Sequence, residues 1–225
     1  MDRREFLRLA ATGLAGGATL SACGETNRPQ ASRSRRPERQ AGGDRRVLLA
    51  YFSRPGENYW NGGRRDLEIG NTEVLARKLA DRLDCDLHRI EAAEPYADDY
   101  EETVARNVRE QEADARPRIA NPLDSIRDYE TVLLASPIWN VRPPMIMATF
   151  IESQDFAGKT LLPLTTYAMS GLGSAPREYA QRCRGARIGQ GLAVRGEEVR
   201  SADDDIEAWL AQAALPTFSP KGSTR

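Results

Sequence analysis

Histidine is almost missing from this chain: His88 is the only one in 225 residues. That scarcity removes the general base on which Ser/His/Asp and Cys/His nucleophiles depend. His88 itself lies in "CDLHRIEA", a strand pattern in which a lone histidine reads as structural. Cysteine is scarce too, three in all, with no CxxC pair and no Cys/His cluster to hold a metal. The formal net charge is only −1, so nothing in the overall balance attracts nucleic acid. The longest weakly polar stretch, residues 9–22, is too short and too rich in glycine to span a bilayer as a stable helix. With 40% hydrophobic residues, one soluble domain is expected once non-globular ends are set aside.

What is present at the N-terminus has a distinct order. An arginine pair, Arg3-Arg4-Glu5-Phe6-Leu7, precedes the small-residue stretch, which ends in Leu20-Ser21-Ala22-Cys23. The first pattern resembles a twin-arginine export signal and the second resembles the lipobox of bacterial lipoproteins, in which the cysteine is acylated. The expectation is therefore an export signal over 1–22, lipidation at Cys23 and a disordered tether over 23–45, where apolar side chains are nearly absent and arginines can rest on anionic lipid. The resemblance implies a protein exported to the bacterial cell envelope (periplasm) and held there as a membrane-anchored lipoprotein. It also raises the expectation of a bound redox cofactor, because the twin-arginine route carries proteins that fold before export.

Residues 46–216 read as the folded domain and 217–225 as a flexible tail. Short apolar runs at 47–52, 86–90, 131–135, 160–165 and 188–194 predict strands, the first and third apolar on both faces as in a parallel sheet. Helical patterns alternate with them. Asn71 or Thr72 caps the first, with Val74, Leu75, Leu79 and Leu83 on one face, and others are expected over 99–114, 143–153, 174–183 and 203–213. Strands alternating with helices through right-handed crossovers predict an open, doubly wound, three-layer α/β domain on a five-stranded parallel sheet. Pro163 lacks a ladder donor, so a local bulge is expected in the fourth strand.

Three polar, glycine-bearing segments follow strands one, three and four and so open at one sheet edge, where α/β proteins bind ligands. The first joins Ser53-Arg54 to Gly70-Asn71-Thr72, hydroxyls and amides at a helix N-terminus suited to phosphate. The connection 55–69 within it is long for a strand-to-helix loop, which marks it as functional or mobile. The second, "ASPIWNVRPPM" at 135–145, carries Trp139 at a loop tip, a platform for a flat ring or else a small core of its own. The third, "TTYAMSGLGSAP" at 165–176, has Gly171 and Gly173, which let backbone approach a ligand or simply make a turn.

Phosphate, polar linker and planar ring together describe FMN. The chain resembles the flavodoxin-like superfamily, and most of all its bacterial branch with YFSR...GNTE, a PIW loop and a SGxG loop. The resemblance implies strand order 2-1-3-4-5 with FMN in the crevice between strands one and three. It implies that Ser53, Asn71 and Thr72 hold the phosphate with Arg54 beside them. Ser136, Pro137, Ile138, Trp139 and Asn140 would flank the ring, and Thr166, Tyr167, Ala168, Gly171 and Gly173 would serve the ribityl and pyrimidine edges. Tyr167-Ala168-Met169 departs from the pattern of relatives, which places the third loop farther from the ring or over it. Three functions stand open: an electron-transfer flavoprotein with a separate redox partner, an FMN-dependent NAD(P)H reductase of quinones or nitro compounds in which Tyr59 and Trp60 close over the acceptor, and a flavodoxin-shaped module without flavin. Cys85 and Cys183, at opposite edges of such a sheet, are expected to stay unpaired.

Overall fold

The computed structural model describes residues 46–216. The expected export signal, Cys23, the tether and the tail lie outside these residues. Within them β1 (Val47–Tyr51) pairs in parallel with β4 (Cys85–Arg89) on one side and β5 (Thr131–Pro137) on the other. β5 pairs with β6 (Thr160–Tyr167), and β6 pairs with two short pieces, β7 (Arg187–Ile188) and β8 (Leu192–Arg195). With β7 and β8 counted as one broken strand, the parallel strands run 2-1-3-4-5 in chain order. The carboxyl ends of β1 and β5, whose following connections leave in opposite directions, therefore form the switch point at which such sheets bind ligands.

The break in the fifth strand has a local cause. Register advances three residues in β6, from Leu161 to Leu164, while its partner advances four, from Ile188 to Leu192. Alternate residues of β6 face alternate neighbours, and Leu161 and Pro163 both face outward, since Gly189 N donates to Leu161 O at 2.9 Å. Pro163 has no N–H to give there, so the extra residue is accommodated opposite it. β6 itself pairs with β5 without interruption. The expected bulge thus lies in the neighbouring strand and not in the strand that carries the proline.

Helices cover both faces. On one, α1 (Asn71–Ala80) and α5 (Asp203–Ala213) bury Leu75, Ala76, Leu79, Ile206, Trp209 and Leu210 against Leu49, Tyr51, Leu133 and Leu164. On the other, α3 (Met145–Glu152) and α4 (Ala175–Arg182) pack Ile146, Phe150, Ala175 and Tyr179 over Leu48, Ala50, Val132 and Leu134. α2 (Tyr100–Glu112) begins at Asp99, whose carboxylate accepts the Glu102 amide at 2.8 Å as an N-cap. α3 starts at Met145 with Pro144 as its N-cap, so the two prolines precede the first turn instead of forming it. His88 is half-buried and stacks on Phe150 with ring centroids 5.9 Å apart, a packing role in which burial lowers its pKa. Cys85 and Cys183 are free and belong to opposite faces of the sheet.

The 55–69 connection is ordered structure. β2 (Gly56–Trp60) and β3 (Gly63–Leu67) form an antiparallel hairpin closed by Asn61 and Gly62, both at positive φ, the geometry a two-residue turn needs.

Candidate functional site

A cleft of about 520 Å³ opens across the carboxyl edge of the sheet, within the size range of small-molecule and cofactor sites. Its polar end is made by α1 and by η1 (Gly196–Ser201), the 3₁₀ turn that follows β8, with Asn58 and Tyr59 of the hairpin over it. Its other end is walled by α2, through Tyr100, Thr103, Val104, Asn107 and Val108, and by the loops after β5 and β6. The cleft therefore runs from the α1 face of the sheet to the α3 face.

At the polar end the geometry is set by Gly70. Its Cα packs so tightly that an added Cβ would lie 2.3 Å from the Arg54 carbonyl oxygen and 2.4 Å from Ser53 Oγ. This approach lets Ser53 Oγ accept the Glu73 amide at 3.0 Å and fixes the first turn of α1. The amides of Asn71 and Thr72 have no acceptor within the helix, and the positive end of its dipole favours an anion there. Thr72 and Thr166 share a 2.7 Å hydrogen bond between hydroxyls, joining α1 to the end of β6. Glu73 is buried and pairs with Arg77 and with Arg89 at 3.5 Å, so the acid that follows the GNT triplet is structural.

Arg54 occupies a different role from the one its position suggested. Only 7% exposed, its guanidinium donates to the carbonyls of Ala97 (2.7 Å), Asp98 (3.0 Å) and Glu57. It reaches the cleft wall, but those donors bolt the hairpin to the segment before α2. Burial lowers its pKa, and the nearby carboxylates of Asp98 and Glu57 oppose that shift. Arg64 lies 3.6 Å over the Tyr100 ring and bonds Glu101 at 3.0 Å, which ties the outer hairpin strand to the same helix.

At the other end, Trp139 packs edge-on against Phe52 (5.8 Å) and Tyr96 (5.2 Å) while lining the cleft. The small-core reading of this tryptophan holds, and the same residue also faces the opening. Tyr96 donates to Glu110 at 2.7 Å, and burial with that bond drives its pKa far up. Asn140 and Val141 both have positive φ in a two-residue turn closed by mutual hydrogen bonds between Trp139 and Arg142. For a β-branched residue such as Val141 this is a strained conformation. Gln111 of α2 holds the turn by donating to the Trp139 carbonyl at 3.1 Å.

Nine of the residues that the resemblance assigned to FMN line the cleft: Arg54, Asn71, Pro137, Ile138, Trp139, Asn140, Thr166, Tyr167 and Ala168. Ser53, Thr72 and Ser136 are buried behind it. Gly171 and Gly173 do not line it. At φ 57 and 53 they shape the third loop, and a Cβ on Gly173 would meet the Val141 carbonyl at 2.5 Å. The close approach of Gly173 is loop to loop, reinforced by Ser174 N donating to Val141 O at 2.9 Å, whereas Gly171 has open space around it. Sequence reasoning missed the α2 wall, Glu197 and the hairpin fold. The Asn61-Gly62 pair was an available signal for the hairpin, and valines four apart at 104 and 108 for the wall.

The sequence pattern of the family described as Flavodoxin matches residues 67–213. No curated protein matches the chain. Among solved structures, a presumptive flavoprotein from Bacteroides eggerthii is 28% identical, covering 76% of this chain and 98% of its own, with a TM-score of 0.61. A second from Bacteroides uniformis is 28% identical, covering 73% and 99%, with a TM-score of 0.57. A flavoprotein in complex with FMN from Lactobacillus acidophilus is 17% identical, covering 70% and 97%, with a TM-score of 0.48. With the parallel sheet, the switch-point cleft and the family match over residues 67–213 in place, the chain belongs to the flavodoxin family.

Proposed function

We propose that this protein binds FMN in the cleft and acts as a redox flavoprotein, transferring electrons to or from a separate partner. The observation that carries the reading is the cleft itself, which joins the unpaired first-turn amides of α1 at one end to Trp139 at the other. The residues present fit the group. Asn71 and the α1 amides suit a phosphate, Asn58, Thr166 and Glu197 are polar enough for a hydroxylated chain, and the 137–141 and 166–170 loops suit the two edges of a planar ring. Bound there, the flavin would supply the redox chemistry. The protein's own part is to fix the anionic end through α1, to hold the ring loops in place through Gln111 and Gly173, and to exclude water with the hairpin. Titrating the protein with FMN while following flavin fluorescence tests the reading, and an unchanged signal at micromolar protein would reject it.

A second reading has its own support. Five large apolar side chains are exposed among the described residues, and four of them, Val104, Val108, Val141 and Met169, line this cleft. An apolar mouth favours direct reduction of a small planar acceptor such as a quinone or nitroaromatic by NAD(P)H. Turnover of NADH with menadione by the FMN-loaded protein decides between the two.

Export and anchoring belong to the same proposal. The RRxFL and LSAC patterns support a lipoprotein acylated at Cys23 and exposed in the envelope. Cys23→Ala should leave the protein unprocessed or released from membranes, and a variant that stays processed and membrane-bound counts against it.

A further inference from the structure

Two charged side chains line the cleft, Arg54 and Glu197, and each has a buried atom without a hydrogen bond among the described residues, a donor in Arg54 Nε and an acceptor in Glu197 Oε2. The Glu197 side chain is 6% exposed. Oε1 accepts the Asn61 amide of the hairpin turn at 3.1 Å. Oε2 is buried with no hydrogen-bond partner, and the nearest cation, Arg195 Nε, stands 4.0 Å away on a side chain that is 41% exposed. Arg195 offsets charge at that distance without filling the acceptor site.

Position narrows what could fill it. Gly196 packs against Asn71, such that a Cβ there would lie 2.4 Å from Asn71 Nδ2, so Glu197 is held at the α1 end of the cleft. Trp139 belongs to the opposite face, packed with Phe52 and Tyr96. An ionised carboxylate only accepts, and a buried acceptor left unmade is costly. The ligand must bring the donor. A phosphate offers none in its dianionic form, and a flat ring at the Trp139 end lies on the wrong side of the sheet. What lies between an anionic end and a ring is a hydroxylated chain.

We propose that Glu197 Oε2 accepts a hydrogen bond from a hydroxyl on the polyol chain of the bound ligand, which makes Glu197 a specificity residue for ribityl-bearing flavins. The inference rests on the FMN reading. It also accounts for a carboxylate beside a helix N-terminus that should receive an anion, since the hydroxyl stands between the two negative groups.

Three flavins separate the contributions: lumiflavin has the ring alone, riboflavin adds the polyol and FMN adds the phosphate. Fluorescence titrations of the full chain, Glu197→Gln and Glu197→Ala give the dissociation constants. Glu197→Ala should weaken riboflavin and FMN by about tenfold or more, the scale of a hydrogen bond to a charged group, and leave lumiflavin unchanged. Glu197→Gln keeps the shape and a neutral acceptor, so it should lose several-fold on the same two ligands even where the alanine variant fails to fold. Equal losses on all three ligands would show that the carboxylate serves only the hairpin and overturn the inference. So would unchanged riboflavin binding, or Glu197→Gln tightening FMN alone, which would mark the carboxylate as an opponent of phosphate. A parent protein that binds none of the three removes the FMN reading and this inference with it, whereas a parent that binds FMN with Glu197 variants unaffected removes only the inference.

Discussion

Gly70→Ala tests the geometry on which the polar end of the cleft depends. Gly70 has φ −64° and ψ 148°, ordinary for any residue, so alanine carries no backbone penalty of its own. The cost is wholly one of space. The new Cβ would sit 2.3 Å from a backbone oxygen and 2.4 Å from Ser53 Oγ, more than ~1 Å inside the optimum of about 3.5 Å. Neither neighbour can retreat freely: the Arg54 side chain is caged by three carbonyls, and Ser53 Oγ is bonded to Glu73 N. The first turn of α1 must move instead. Overpacking of this kind costs about 1–3 kcal/mol, and losing the Ser53 bond adds about 1 kcal/mol. A total of about 2–4 kcal/mol lowers the melting temperature by roughly 4–16 °C for a domain of this size. Ser53→Ala removes only the bond and should lower it by about 2–4 °C. Thermal unfolding by circular dichroism reads both, and FMN titration should show Gly70→Ala about tenfold weaker because the Asn71 and Thr72 amides are displaced. A Gly70→Ala variant no less stable than Ser53→Ala would refute the close approach.

Three other outcomes are expected. Trp139→Ala removes two edge-to-face contacts worth ~0.5–1.5 kcal/mol each, so it should destabilise by about 1–3 kcal/mol and weaken FMN and lumiflavin to the same degree, a loss confined to FMN arguing against a ring beside it. Gly171→Asn should be nearly neutral because asparagine tolerates positive φ and nothing lies within 4 Å, whereas Gly173→Asn should cost about 2 kcal/mol or more by pushing the Val141 carbonyl away; equal melting temperatures for the two would remove the loop-to-loop clamp. Burial pushes the Cys85 thiol up to about 11 and Cys183 up to about 12, so native protein should alkylate slowly at pH 8 and faster as pH rises toward 11, while denatured protein gives two reactive thiols from these positions at once. The same shifts favour the thiol form of the folded state, so their contribution to stability is full below the unfolded pKa near 8.5 and falls as pH rises through 11 and 12.

Sequence alone determined the layer architecture, because strand and helix periodicity are properties of neighbouring residues: VLLAY and VLLA are hydrophobic throughout, and Leu75, Leu79, Ile206 and Leu210 repeat at helical spacing. It also located three loops at one edge, since strands that all run parallel must deliver their following loops to the same side. It could not assign partners to single side chains in those loops. Arg54 looks like a phosphate ligand until the fold brings Ala97 and Asp98, more than forty residues away, within reach of its guanidinium. Gly173 looks like a ligand contact until the Val141 carbonyl arrives in its place, and Glu197 looks like one acid among several until the hairpin amide closes over one of its oxygens and leaves the other bare. The polar hairpin strands carry no alternating apolar pattern, and they are held by Arg54 and by Arg64 on Tyr100. Periodicity encodes which face of an element is buried, whereas a hydrogen bond between residues distant in the chain depends on where two elements meet, and only the tertiary structure decides that.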